Sequence, residues 1–80
     1  MNKVDKAMFN TQVAALDEVK GYLDAYREDQ QEMFDELSEK MQEGEKGERI
    51  IYITNMLEQA ADSIESAMGD IKDILSGETP

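Results

Sequence analysis

From Ile50 to Ile74, apolar residues return at steps of 3 and 4 without a gap: Ile50, Ile53, Leu57, Ala60, Ile64, Ala67, Ile71 and Ile74. Strands alternate with a period of two, so this spacing dictates a helix carrying a heptad seam. Thr54, Ala61, Met68 and Leu75 lie beside the seam on one flank. They widen the apolar face to about three positions in seven, the width a helix buries when it meets more than one neighbour. Glu58, Asp62, Glu65, Asp70 and Asp73 take the opposite face, with Lys72 as its cation. The β-branched run Ile50-Ile51-Tyr52-Ile53-Thr54 sits inside this pattern and reads as helix. Ser76-Gly77 is the expected stop, because glycine admits a left-handed helix end.

The first half repeats the period. Phe9, Leu16, Val19, Leu23, Tyr26, Met33 and Leu37 fit a seam whose first row is 9, 16, 23, 30 and 37. Gln12 and Gln30 are polar interruptions of that seam, and Lys40 ends it. The two glutamines either fix the register of an association or lie at an exposed edge. Val4, Met8, Val13, Ala15 and Tyr22 broaden the face. Asn2 or Asp5 supplies the short oxygen-bearing side chain that caps a first turn. Gly21 interrupts the helix interior, weakening that turn or admitting a second backbone.

The clear break is Gln42-Glu43-Gly44-Glu45-Lys46-Gly47-Glu48, with two glycines within four residues and no apolar side chain from 42 to 49. Its acidic residues Glu45 and Glu48 suit the positive end of a second helix. Residues 35–41 read either as the end of the first helix or as a separate turn. The expected fold is therefore all-α. It is a single 1–80 domain: a helix over about 3–41, a turn at 42–47, a helix over about 45–75 and a disordered tail at 76–80. The helices, each on the order of 45–60 Å long, fold back as an antiparallel two-helix hairpin. Two helices alone cannot cover faces this wide, and chains below about 80 residues seldom bury an adequate core. Two hairpins are therefore expected to pair into a four-helix bundle. Its oligomer core is Leu16, Val19, Leu23, Tyr26 and Met33 with Ile50, Ile53, Leu57, Ile64, Ile71 and Ile74.

Charge narrows the chemistry. The 80 residues hold 19 acids and 8 bases, a formal net charge of −11, with no His and no Cys. Such a composition with few aromatics is common in disordered chains, but here the apolar residues are ordered into seams. Without His or Cys there is no zinc finger, thiolate nucleophile, disulfide framework or imidazole base. Direct nucleic-acid binding needs clustered cations that an acidic chain lacks. No apolar run approaches the roughly 18 residues of a membrane span, and Met1-Asn2-Lys3-Val4-Asp5-Lys6 lacks the apolar stretch of a signal peptide. The expectation is a cytoplasmic, non-catalytic protein with no membrane contact.

Carboxylate pairs at i, i+4 (Glu28 with Glu32, Glu32 with Glu36, Asp35 with Glu39) fall on the polar face, and the Glu-x-x-His pairs of bundle di-iron sites are missing. The segment from Asp35 to Glu48 does not make a calcium loop: Leu37 and Lys40 occupy positions that need an oxygen ligand and a glycine. No metal and no cofactor are expected. Ser38, Ser63, Ser66, Ser76, Thr11, Thr54 and Thr79 have no histidine to activate them, so no catalytic residue is assigned. Gly44-x-x-Gly47 is flanked by carboxylates that would repel phosphate. Lys46 and Arg49 either contact an anion or pair with Glu43, Glu45 and Glu48.

Two surfaces are left as candidate binding sites. One is the acidic face, with Glu28, Glu32, Asp35, Glu36, Glu39 and Glu43 inside a stretch (24–48) that holds ten acids and three cations. Such a field steers basic partners and raises association rates, or simply keeps the chain soluble. The other is an apolar patch near the turn, Ile51, Tyr52 and Met56, in a chain rich in adaptable methionine. It either receives the end of the first helix or docks a partner.

The run Glu32-x-Phe34-Asp35-x-Leu37, followed by Met41-Gln42-x-Gly44-Glu45-Lys46-Gly47-Glu48, resembles a family of uncharacterised small acidic helical proteins of phages, prophages and plasmids. That family carries an aromatic-Asp-x-apolar step, an apolar-Gln turn and a Glu-basic-x-Glu helix start, over what would be residues 30–75 here. Members often have proline where this chain has Ser38. The resemblance implies a mobile-element accessory protein that interferes with a host system, and supplies no catalytic or binding residues.

Three functions are open at this stage. The first is an interaction protein that binds and inhibits a host protein with a basic surface, of the anti-defence, anti-CRISPR-like or nucleic-acid-mimic kind. The second is a structural or assembly bundle in which apolar residues carry the binding. The third is a small-nucleotide sponge, requiring Lys3, Lys6, Lys20, Arg27 and Arg49 to converge by assembly.

Overall fold

The computed structural model describes residues 2–77, and every element among them is helical: α1 (Lys3–Asp35), α2 (Glu39–Glu43) and α3 (Glu45–Gly77). Asn2 caps α1, its side-chain oxygen accepting from the Asp5 amide at 2.8 Å. That satisfies one of the first-turn donors a helix leaves free.

The helix that starts at Lys3 ends at Asp35, six residues before the expected end at about 41. No glycine or proline stops it. The Leu37 amide donates back to the Phe34 carbonyl at 3.1 Å, tightening the last turn. Ser38 then takes extended geometry (φ −63°, ψ 157°) and accepts from the Met41 amide at 3.3 Å. Its hydroxyl offers the backbone a fresh cap in place of helix continuation. That φ is also the value a proline ring imposes. The Gln42 side chain reaches back to donate to the Phe34 carbonyl at 3.0 Å, giving it a second donor beside the Leu37 amide. A single extended residue, Gly44 (φ −89°, ψ −172°), separates α2 from α3.

The corner is thus a short helix, α2, bracketed by Glu36–Ser38 and Gly44, and not a plain turn over 42–47. At the far end, Ser76 and Gly77 belong to α3, which corrects the expected tail of 76–80 for those two residues. Residues 78–80 lie outside the described residues. No described glycine has a positive φ, so a left-handed glycine is not what ends α3 at Gly77.

The molecule is elongated, 59 × 15 × 13 Å in Cα extent. One helix of 33 residues spans about 50 Å, so α1 and α3 share the long axis side by side. They contact one another, and α2 contacts α3. Lys20 neighbours Glu65, while Phe34 and Gln31 share a hollow with Ile50 and Thr54. Residue numbers therefore rise along α1 as they fall along α3.

Burial shows which rows meet. On α1 the half-covered residues are Phe9, Leu16, Leu23 and Gln30, with Lys6, Val13, Lys20, Asp24, Arg27 and Phe34, and Leu37 continues the first row beyond the helix end. On α3 Gly47, Ile50, Ala61 and Met68 are buried, and Ile53, Thr54, Leu57, Ile64, Ile71 and Leu75 are half-covered. The seam between the helices is therefore rotated by one row from the one read in the sequence. Rows 9–37 and 50–71 are inside, as expected. Their expected companions Val19, Tyr26, Met33 and Ile74 are exposed, and Ile53 is half-exposed. The physical reason lies in α1. Its second inner row contains Lys6, Lys20 and Arg27, whose methylene stems cover apolar surface while their charged heads reach water. Thr54 enters the α3 row by turning its hydroxyl onto the Ile50 carbonyl at 2.8 Å.

Among the described residues, Ile50, Ala61 and Met68 are the buried apolar side chains, at 5, 5 and 6% exposure. Gly21 and Gly69 lie in helix interiors with no atom within 4 Å of a built Cβ, so no second backbone approaches Gly21 within the chain. Replacing either with alanine is expected to raise stability by about 1 kcal/mol, since nothing opposes the gain in helix propensity. Chemical denaturation of Gly21→Ala and Gly69→Ala checks this.

Candidate interaction surfaces

The two flanks of the α1–α3 contact differ in chemistry. On one, Lys20 Nζ lies 3.2 Å from Asp24 Oδ2, the one ion pair among the described residues. Its ammonium is held above the ordinary lysine value, first by the hydrogen bond to Asp24 and then by the attraction of that charge. Partial desolvation works the other way, and Glu65 and Asp17 add weaker attraction. A folded-state pKa above the unfolded one means that this contribution is present throughout the neutral range. It is lost as the pH rises through the raised value. Asp17 and Asp24 of α1 and Glu65 of α3 thus mark one shared, charged flank.

Because the two helices run in opposite directions, their remaining flanks meet on the other side. There α1 presents Gln12, Val19, Tyr26 and Met33, and α3 presents Ile53, Ala60, Ala67 and Ile74. These two rows carry no charge over 12–33 and 53–74. They border the half-covered inner rows Leu16 and Leu23, Leu57 and Ile64. Tyr26 is 60% exposed, and a hollow of about 310 Å³ is lined by Gln12, Ala15, Leu16 and Val19. Of the expected oligomer core, Leu16, Leu23, Ile50, Leu57, Ile64 and Ile71 therefore lie within the α1–α3 contact. Val19, Tyr26, Met33, Ile53 and Ile74 lie on its open flank.

The acidic candidates Glu28, Glu32, Asp35, Glu36, Glu39 and Glu43 are all exposed. Glu28, Glu32 and Asp35 occupy the back of α1, turned away from α3, while Glu39 and Glu43 continue onto α2. Asp35 accepts from the Gln31 side chain at 3.1 Å. The expected turn-end patch is divided. Ile51 borders the hollow formed with Gln31, Phe34 and Ile50. Tyr52 and Met56, one turn apart, face outward at 65 and 46% exposure. Ile51, also 46% exposed, is as open as Met56 and differs from it in bordering that hollow.

Among the described residues, no group of three or more Asp, Glu, His or Cys is placed to hold a metal ion. No described helix is long and apolar enough to cross a membrane. Lys3 and Arg49, near the starts of α1 and α3, sit toward opposite ends of the 59 Å axis. The cations named for a nucleotide site are not gathered within one chain. Comparison with protein-family models, curated proteins and solved structures finds no match.

Sequence reasoning missed two features of these surfaces. Apolar spacing alone does not say which of two adjacent rows faces inward, so it does not separate the open flank from the inner seam. The split of Ile51 from Tyr52 and Met56 follows from the 100° step between neighbouring helical residues, a signal already present in their numbering.

Proposed function

We propose that this chain is a non-enzymatic interaction protein. Its folding unit is an antiparallel helical hairpin, two of which pair into a four-helix bundle. Its acidic back binds and inhibits a cytoplasmic host protein with a basic surface. The observation that carries the reading is the set of exposed carboxylates from Glu28 on α1 to Glu43 on α2, none of which is in an ion pair among the described residues. Carboxylates spaced along a helix offer a basic surface a row of negative charge, sparser than that of duplex DNA, and steer it from a distance. The resemblance to small acidic proteins of phages and plasmids supports a mobile-element accessory role, of the anti-defence, anti-CRISPR-like or nucleic-acid-mimic kind.

Reversing Glu28, Glu32, Glu36 and Glu39 to lysine tests this. At low ionic strength, about 50 mM, the tagged wild-type chain is expected to retain a basic protein from a bacterial lysate. That protein should be released near 0.5 M salt, where screening is strong. The reversed variant is expected to retain none of it. Equal retention by both chains, or none by the wild type, rejects the acidic-face reading. A second reading, a structural or assembly bundle, draws on the outward-facing Tyr52 and Met56. It predicts that alanine at these two positions weakens binding more than charge reversal does.

A further inference from the structure

The open flank combines three properties: it is apolar, it runs most of the length of both helices, and it carries no charge in a chain of net −11. We infer that its occupant is a second copy of this chain, seated on the flank built by Val19 and Tyr26 of α1 and Ile53, Ala60, Ala67 and Ile74 of α3. The inference rests on the hairpin reading and specifies which of its faces does the pairing.

Area supports the assignment. The chain exposes 6131 Å², whereas a folded monomer of 9.1 kDa is expected to expose about 4,900 Å². The surplus, on the order of 1,200 Å², exceeds the roughly 800 Å² that each partner buries in a standard interface. Core size points the same way, because three buried apolar residues among those described are a thin core for a chain of this length. Charge selects the occupant. A basic partner finds its complement on the carboxylate-rich back, and the opposite flank has none to offer. An uncharged stripe related to itself by a two-fold axis is self-complementary, as an isologous interface requires. The alanines at 60 and 67 leave room for close approach, and Tyr26 supplies the large amphipathic side chain that interfaces favour.

Self-pairing of two acidic chains also has a distinctive salt response. Long-range repulsion between the protomers is screened by salt, so pairing strengthens as ionic strength rises. Binding of a basic partner on the acidic back weakens under the same change.

Sedimentation equilibrium on the full chain tests the inference, comparing Ala60→Glu/Ala67→Glu with Gln59→Glu/Ser66→Glu. All four positions are exposed within one chain, both pairs sit on the same turns of α3, and both add the same charge. The hairpin itself therefore tolerates either. The wild type and the 59/66 variant are expected to be dimers whose affinity rises with salt. The 60/67 variant is expected to lose about a hundredfold or more in association, because it buries unpaired carboxylates. Its thermal midpoint should also stop rising with protein concentration. A wild type that stays monomeric, with a midpoint independent of concentration, overturns both pairing and the flank. A dimeric wild type with both variants dimeric, or both dissociated alike, overturns the flank assignment and leaves pairing intact. Neither outcome touches the acidic-face reading, which the lysine reversal tests separately.

Discussion

Gly47→Ala is expected to destabilise the chain by about 1–3 kcal/mol, the usual cost of forcing an extra carbon into a filled site. Gly47 is buried where α3 begins, under the last residues of α2. A Cβ there would fall on the Gln42 carbonyl oxygen, 2.6 Å from its carbonyl carbon and 2.7 Å from its Cα. These are backbone atoms and cannot rotate aside, so α2 must move off α3 as a unit. That movement pulls Gln42 away from the Phe34 carbonyl that it caps at 3.0 Å and sacrifices a hydrogen bond worth about 1 kcal/mol. Alanine's helix propensity returns about 1 kcal/mol, which reduces the loss without cancelling it. Gly44→Ala is the control. Its φ is −89°, and a built Cβ meets the Lys40 and Met41 carbonyl oxygens at 3.5 and 3.6 Å, ordinary contact distances. It should stay within about 0.5 kcal/mol of wild type, as a surface substitution does. A chain of this size loses roughly 4–8 °C in midpoint per kcal/mol, so thermal unfolding by circular dichroism separates the two. Equal midpoints would reject close packing as the reason for glycine at 47.

The same corner shows how far the sequence is legible. Two glycines within four residues mark a break, and a break is there. What the pair does not reveal is that one glycine is a joint and the other a packing site, because both look alike as punctuation. Nor does it reveal the earlier stop at Asp35, which depends on a serine hydroxyl capturing an amide and a glutamine reaching back eight residues. Serine and glutamine occur in helices too often for either to mark an end by itself. The heptad period is legible because burial imposes it on every turn. The rotation of the seam is not. Lys6, Lys20 and Arg27 are written as charges, although their stems pack like apolar residues. Val19 and Tyr26 are written as apolar, although one chain leaves them open.

That rotation bears directly on the candidate sites. A seam placed on rows 12–33 and 53–74 would have used up the apolar flank between α1 and α3 and left a partner the carboxylates and the exposed Tyr52 and Met56. With the seam one row over, the molecule has two surfaces of opposite chemistry. On the readings proposed above, a partner held by the carboxylate back would be released by salt, whereas a second copy on the uncharged flank would be held tighter. The two can act together, since the residues of one do not overlap those of the other.

Ile50→Ala is expected to cost about 2–3 kcal/mol, toward the lower end of the range for deleting a buried isoleucine side chain. Ile50 is 5% exposed and sits one turn beyond Gly47, where α3 passes the end of α1. A hollow of about 160 Å³ already adjoins it, lined also by Gln31, Phe34, Ile51, Thr54 and Asn55. Truncation would enlarge that hollow and open it to water, which limits the cavity penalty while forfeiting the burial. The loss is large against the total, because a chain of 80 residues is held by roughly 4–12 kcal/mol. Tyr52→Ala, two residues further on and 65% exposed, is the counterpart. It removes a larger side chain but should change stability by no more than about 0.5 kcal/mol. Urea denaturation at matched concentration compares them, and a Tyr52→Ala loss equal to that of Ile50→Ala would mean that Tyr52 is covered in solution. Repeating the titration at higher protein concentration adds a second reading. Where folding and pairing are coupled, mass action restores part of the stability that Ile50→Ala removes, since the open flank is intact in that variant.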